Sequence, residues 1–587
     1  MPECDLLIKN ARIVDGTGAP AFAGAVAVKG ERIHAVGRVE GDLSVDAAET
    51  IDAGGLVVSP GFIDAHDHGD CSILYYPRAE SWVRQGVTTF VGGNCGTSPG
   101  PYGEYMDAAY FLYDLYWRIA PDMYYGERLQ PIDRINELHR EMYGWEIDWR
   151  TLGEWMSCVE AKGASANVVP IAGHGDIRNL VMGRDYRRRA TKREVLAMQE
   201  QVARAMEEGC RGLSVGRDYN PGYWADTSEL VACAEVAAKY GGVYTSHSLR
   251  TGLREERRPG DPQPAKTSGV LEAIEVGRRA KIPVEISHLS PLYDVWPPGN
   301  KAMAEASAEA TLKIIDDARE EGLDVSFDLI PNTTGGIYAT PYLASALMPW
   351  LRVAGSLDQL GKALAMPALR EEIKATITSG KWYNLNPNLT PMWAMGPTVV
   401  ECKEKKYRGK TIAQIAKELR VDELDALMEV LRADPHTRAS IQGGVPGFMM
   451  LVKHPAAMIG VDTFGVDDKW EIKTPPGILP NENTFGGHPR YLRTCVREAK
   501  ILTLEEAIRK ITSLPAAKFR LSDRGVLREG AYADLVVFDP AKVTDRGSTL
   551  KPRVYPKGIE YVAVNGKLVV EREKHTGETP GKVLRRE

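Results

Sequence analysis

The stretch Pro60-Gly61-Phe62-Ile63-Asp64-Ala65-His66-Asp67-His68 organises the reading of this chain. An apolar run, Leu56-Val57-Val58, leads into it, and a Pro-Gly break interrupts it before two histidines one residue apart. On a strand, side chains alternate between faces, so His66 and His68 fall on the same side. Two imidazoles side by side at the end of an apolar strand can grip one metal ion. A pair of surface histidines would look the same in isolation, so the rest of the chain has to decide.

Working outward, short apolar segments recur at 56–64, 87–93, 167–173, 212–216, 243–247, 284–289, 324–331 and 457–463, with amphipathic helical patterns between them. One helix is bounded by its own chemistry. Thr191 and Glu194 form a capping box, Val195, Met198, Val202, Ala205 and Met206 make one apolar face, and Gly209 ends it. Strand–helix alternation repeated eight times predicts a (β/α)₈ TIM barrel over 59–526. Residues 1–58 and 527–587 read instead as short strands and turns, with Asn565-Gly566 as a two-residue hairpin turn. They predict one small β-sandwich built from both chain ends. Two connections exceed what a barrel needs. Residues 101–126 carry nine aromatics, and 332–456 is long enough for a subdomain. Long insertions after strands sit over a barrel mouth; the aromatic one suits a lid or an oligomer contact equally.

The chain of 587 residues is 43% hydrophobic and 26% charged, with a net charge of -6, ordinary for a globular protein. That charge argues against nucleic acid or a membrane surface as partner. No apolar run is long enough to span a bilayer, and the first residues lack the pattern of a signal peptide. Eight scattered cysteines without a CxxC pair fit reduced thiols and a cytoplasmic location.

The histidines then fall into place. His66 and His68 end the first predicted strand, His174 the third, His247 the fifth and His288 the sixth; Cys95 follows the second, and Asp462 ends the eighth. Strand ends of one barrel converge on one mouth, where active sites are built. Imidazole and thiolate suit zinc, which supplies metal-assisted hydrolysis, and a carboxylate such as Asp462 can take a proton from water and pass it to a leaving amine. His34, His139, His436 and His454 lie away from the strand ends and read as structural.

These residues resemble the amidohydrolase superfamily, and within it the D-aminoacylase (N-acyl-D-amino-acid deacylase) family. The resemblance runs through PGFIDAHDH at 60–68, QGVTTFVGGNCG at 85–96, GHGDIRNLVMG at 173–183, GLSVGRDYNPG at 212–222, YTSH at 244–247, ISHL at 286–289, IGVD at 459–462 and HPR at 488–490. It implies zinc held by Cys95, His247 and His288, with a second, often weaker or vacant, position at His66, His68 and Asp462. It also implies that Asp462 shuttles the proton. The carboxylated lysine of hydantoinase-like members is absent from Gly212-Leu213-Ser214-Val215-Gly216, and Cys95 stands in its place.

The substrate pocket departs from the family pattern. Ser290 stands where a lysine usually binds the substrate carboxylate, the tyrosine-rich motif on strand seven reads Asp328-Leu329-Ile330-Pro331-Asn332, and Arg217 stands where a leucine is common. Tyr219 matches the family tyrosine. The predicted substrate-binding set is His174, Arg217, Tyr219, Arg250, Ser290, His488 and Arg490, and two explanations stand for the missing charge: Arg217, Arg250 or Arg490 supplies it through a bidentate grip, or the substrate lacks that carboxylate and the aromatic insertion at 101–126 binds a bulkier, less polar amide. The expected activity is hydrolysis of a linear amide of a small molecule, by default an N-acyl-D-amino acid. Hydrolysis of an uncharged or aromatic amide, a dipeptide or a cyclic imide is the alternative, and a metal-free scaffold is a third reading that the retained ligands oppose. A homo-oligomer is compatible with all three.

Overall fold

The computed structural model describes residues 2–38, 45–107, 129–218, 220–249, 266–293, 300–331, 343–379, 393–441, 447–468 and 482–586. The predicted first strand turns out to be two. Val57–Pro60 belongs to a sheet of the chain termini, where it runs beside Cys4–Ile13 and antiparallel to Leu535–Phe538. Phe62–Asp64 belongs to the central strands and pairs in parallel with Val87–Gly92. Gly61 makes the break: a Cβ there would lie 2.1 Å from Thr88 Oγ1, so only glycine lets the chain pass from one sheet to the other at this point.

The central strands are parallel. Asn167–Pro170, Val87–Gly92 and Phe62–Asp64 form a three-stranded sheet. Ala172–Gly173, Gly212–Gly216, Val243–His247, Val284–Ile286, Val325–Leu329 and Ala457–Ile459 form a six-stranded one. Only Ile171 separates the two sheets along the chain, and its N–H donates to Gly92 O at 3.0 Å. At the other edge Ala65 N–H donates to Ile459 O at 3.1 Å. Helices Thr227–Lys239, Lys266–Ala280 and Lys301–Glu320 fill successive strand-to-strand crossovers, as parallel pairing demands. The helix read from Thr191 spans Lys192–Glu207 with its capping box formed, and Met198, Val202, Ala205 and Met206 are buried.

Both termini contribute to one nine-stranded sheet. Leu6, Ile8, Ile13, Val26, Val28 and Leu535 share one of its cores. The hairpin turn Asn565-Gly566 joins Ile559–Val564 to Lys567–Glu571, with φ of 48° and 78°. Within 332–456 the described residues include a separate apolar core, with Leu347, Leu360, Ile373, Ile415, Leu427 and Leu431 among its members. Residues 108–126 of the aromatic insertion lie outside the described residues. Among the described residues no helix is long and apolar enough to cross a membrane.

Candidate metal centre

Six side chains, from the ends of four central strands and the loop after a fifth, meet where the parallel strands end. Val243–His247 delivers His247 as its last residue, and His288 follows Val284–Ile286 by two. His66 and His68 follow Phe62–Asp64, Asp462 follows Ala457–Ile459, and Cys95 lies in the loop after Val87–Gly92. Cys95 Sγ is 3.3 Å from His66 Nε2, 3.4 Å from His247 Nδ1 and 3.7 Å from His288 Nε2. His288 Nε2 lies 3.0 Å from His247 Nδ1. Asp462 Oδ1 lies 3.3 Å from His68 Nε2 and 3.7 Å from His66 Nε2.

This donor set fits zinc. Ligands at zinc's usual bond lengths, about 2.0–2.3 Å in tetrahedral array, stand roughly 3.3–3.8 Å from one another. The thiolate stands at that spacing from three imidazoles and the carboxylate from two, His288 and His247 lie somewhat closer together at 3.0 Å, and all six residues are buried. The two groupings share His66, which lies within reach of both Cys95–His288 and His68–Asp462.

The backbone is bent to achieve this. Cys95, His288 and Asp462 have φ of 58°, 38° and 51°, a left-handed conformation that non-glycine residues rarely adopt. Such conformations persist only where the surroundings hold them, and they gather at functional sites. Around Cys95 the support is steric. A Cβ on Gly93 would lie 2.0 Å from Ile171 O, and one on Gly96 would lie 2.5 Å from Gly216 N, so the loop can lie against its neighbours only with glycine on both sides.

Carboxylates that the site prediction did not include hold the ligands. Asp328 accepts from His66 Nδ1 at 3.1 Å through one oxygen and from the His288 N–H at 2.9 Å through the other. Asp64 accepts from the N–H groups of His66 and Val461, and Asp67 from those of His68 and Thr463. Behind Asp328 lies Glu285, fully buried, its pKa pushed well up by burial and then by Asp328. The signal was present: an acid inside an apolar strand such as Val-Ser-Phe-Asp-Leu must have a partner. The partner, however, comes from a strand about 260 residues away in sequence.

Electrostatics follow from this packing. Burial pushes the Cys95 thiol up, but His66 and His247 outweigh it and bring its pKa well below the ordinary value. Burial disfavours charge on His68, but Asp462 outweighs it and raises His68 to about 9.

The described substrate-pocket candidates each have partners of their own. His174 is buried and bonds Glu229 at 2.9 Å, with Arg178 on the same carboxylate at 3.1 Å. Arg217 is paired with Glu272 at 2.8 Å and also bonds Gly222 O. Arg490 reaches Asp545 at 3.4 Å and Glu482 at 3.6 Å. His488 is buried and stacked on Phe62 at 5.9 Å, with burial lowering its pKa to about 3. Ser290 is half-buried, two residues beyond His288; Tyr219 and Arg250 lie outside the described residues. Of the histidines read as structural, His139 meets Tyr75 and Trp145, and His436 and His454 meet Asp358 and Asp316.

The comparisons with known proteins point the same way as this geometry. Residues 413–570 match the amidohydrolase family. The chain is 32% identical to an N-acyl-D-glutamate deacylase of Alcaligenes xylosoxydans xylosoxydans, over 99% of this chain and 97% of that one. It is 30% identical to an N-acyl-D-aspartate deacylase of the same organism, over 99% and 95%. The crystal structure of the Bordetella bronchiseptica N-acyl-D-glutamate deacylase, complexed with zinc and a phosphonate inhibitor, superposes with a TM-score of 0.69 at 28% identity, covering 99% of both chains. The chain belongs to the D-aminoacylase (N-acyl-D-amino-acid deacylase) family of amidohydrolases.

Proposed function

We propose that this protein is a zinc-dependent deacylase of N-acyl-D-amino acids. The observation that carries the reading is the convergence of Cys95, His247, His288, His66, His68 and Asp462 at metal-ligand spacing in a chain of this family. Cys95, His247 and His288 would hold the principal ion, and His66, His68 and Asp462 would offer a second position. Bound there, zinc supplies a Lewis acid and makes water easier to deprotonate at neutral pH.

The chain's own residues do the rest. Asp462 accepts the proton of the attacking water and delivers it to the leaving amine. Its carboxylate is suited to this because His68 and His66 hold it in the ionised form against the cost of burial. Asp328 keeps His66 and His288 oriented from behind. Burial of all six side chains excludes bulk water, so charge developing on the scissile amide is stabilised by fixed groups.

The strand order supports a closed (β/α)₈ barrel, because the run of parallel strands passes through Ile171 and meets again at Ala65 and Ile459. The nine-stranded sheet of the termini corresponds to the small β-sandwich, with the barrel occupying 59–526 and 527–587 completing the sandwich. A small-molecule substrate and a cytoplasmic location complete this reading.

The substrate carboxylate needs a cation. The family lysine is replaced by Ser290, and Arg217, Arg250 and Arg490 are the candidates to supply the charge. A hydrolysis screen of the zinc-loaded protein tests the proposal, pairing N-acetyl-D- and L-amino acids with uncharged amides of the same groups. Turnover of the D-acids is expected. Turnover of the uncharged amides alone would overturn the substrate assignment and leave the hydrolytic site standing.

A further inference from the structure

A second concavity lies at the opposite end of the central strands. Arg211 precedes Gly212–Gly216 and Gly241 precedes Val243–His247, so these residues mark the strand beginnings, whereas His247 marks a strand end. A cleft of about 460 Å³ opens here between Tyr240, Gly241, Phe519–Arg524, Tyr532 and the C-terminal run Lys582–Arg586. Six cations line it, Arg211, Arg520, Arg524, Lys582, Arg585 and Arg586, of which Arg524, Lys582 and Arg585 are paired with Asp534, Glu31 and Glu160. The one carboxylate in its lining, Asp523, is paired with Arg32 at 3.2 Å. The lining cations still outnumber the carboxylates paired around them, an excess opposite in sign to the chain's net charge of -6.

The cations are held in place. Arg211 donates to the main-chain carbonyls of Leu584, Arg520 and Arg585 at 2.7, 2.9 and 2.9 Å, which ties the C-terminal run to the cleft without adding any negative charge. Arg524 stacks on the Tyr532 ring at 3.9 Å, and Arg586 lies over the Tyr240 ring at 5.1 Å. Arg520 is exposed and has no carboxylate partner among the described residues. Its guanidinium lies where a side chain on residue 241 would be, since a Cβ there would sit 2.3 Å from Arg520 Nη1; Gly241 leaves that space open.

We propose that this cleft binds a phosphate-bearing small molecule with two or more negative charges. Guanidinium groups arranged around a concave space match a tetrahedral polyanion, which accepts hydrogen bonds from several directions, better than a single planar carboxylate. The site is separate from the metal centre and independent of the deacylase reading.

Calorimetric titration of the zinc-loaded full-length protein with inorganic pyrophosphate, in 150 mM sodium chloride, tests it. One saturable site per chain is expected. Arg520→Gly, which suits the φ of 57° at this position, is expected to weaken binding at least tenfold, and Arg520→Glu to abolish it. Both variants keep every candidate zinc ligand, so binding that persists unchanged in them would belong to the metal centre and overturn the proposal. Heat that does not saturate, or that vanishes at this salt concentration, would mark an adventitious ion only and overturn it equally.

Discussion

Asp328 Oδ2 lies 3.1 Å from His66 Nδ1, and the same carboxylate takes the His288 N–H through its other oxygen at 2.9 Å. One fully buried side chain thus sets the ring of a candidate ligand from the first central strand and the backbone of another after the sixth. Replacing it with asparagine keeps the shape but removes the charge that fixes the His66 tautomer. We expect Asp328→Asn to weaken zinc binding by about 10–100-fold, the usual cost of losing such a partner. Competition against a calibrated chelator measures it, and wild-type affinity in the variant would show that Asp328 serves packing alone.

Gly460 offers a way to disturb His66 without touching a ligand. A Cβ at this position would lie 2.4 Å from His66 Cβ and 3.1 Å from Asp328 Oδ1. Gly460→Ala should therefore lower stability by about 1–3 kcal/mol, the usual range for overpacking. It should lower zinc affinity as well. A thermal melt with and without zinc separates the two effects, and an unchanged melt in both conditions would refute the geometry.

Asp462 is predicted to act on the chemical step. Asp462→Asn should cut kcat by a factor on the order of 10²–10⁴, as loss of a general acid–base does. Zinc at Cys95, His247 and His288 should remain, since none of those side chains is altered. Metal analysis beside steady-state kinetics checks both halves. Loss of metal with loss of activity would make Asp462 a ligand first.

Removing the metal should cost stability as well as turnover. A ligand that binds only the folded chain stabilises it by about 4 kcal/mol when present at a thousand times its dissociation constant. Chelator-treated protein is expected to melt lower than the zinc-loaded form and to recover both melt and activity on adding zinc. A melt insensitive to zinc would argue against a folded-state metal site.

Away from the site, Glu194 gives a pH dependence with a definite sign. Its bonds to Arg188, and then to the Thr191 backbone and hydroxyl, hold its pKa at about 2, below the ordinary 4.5. A depressed carboxylate stabilises the fold above its unfolded pKa, and that contribution fades as pH falls from 4.5 toward 2. Glu194→Gln should cost about 1 kcal/mol near neutral pH, the scale of a charged cap. Urea unfolding at pH 7 and at pH 4 should show the gap between variant and wild type narrowing at the lower pH; a gap that widens would reverse the sign.

The local features of this chain were legible because they depend on neighbours in sequence. His66 and His68 do come together, but in the bend after Phe62–Asp64 rather than on the strand, so period-two alternation pointed to the right pair for a reason the structure does not use. The Thr191 capping box and the Asn565-Gly566 turn formed as read, since a cap or a tight turn is decided by a few adjacent residues. Strand counting located the parallel strands that carry His247, His288 and Asp462 to one region. What the sequence left open depended on distance. The division of 56–64 into strands of two different sheets was decided by Thr88 pressing on Gly61, a contact outside any local pattern. The salt bridges of Arg217 with Glu272 and of Arg490 with Asp545 were decided in the same way. So were the carboxylates behind the ligands, because a buried charge is tolerated only where a partner from another strand arrives, and only the packed chain determines which one does.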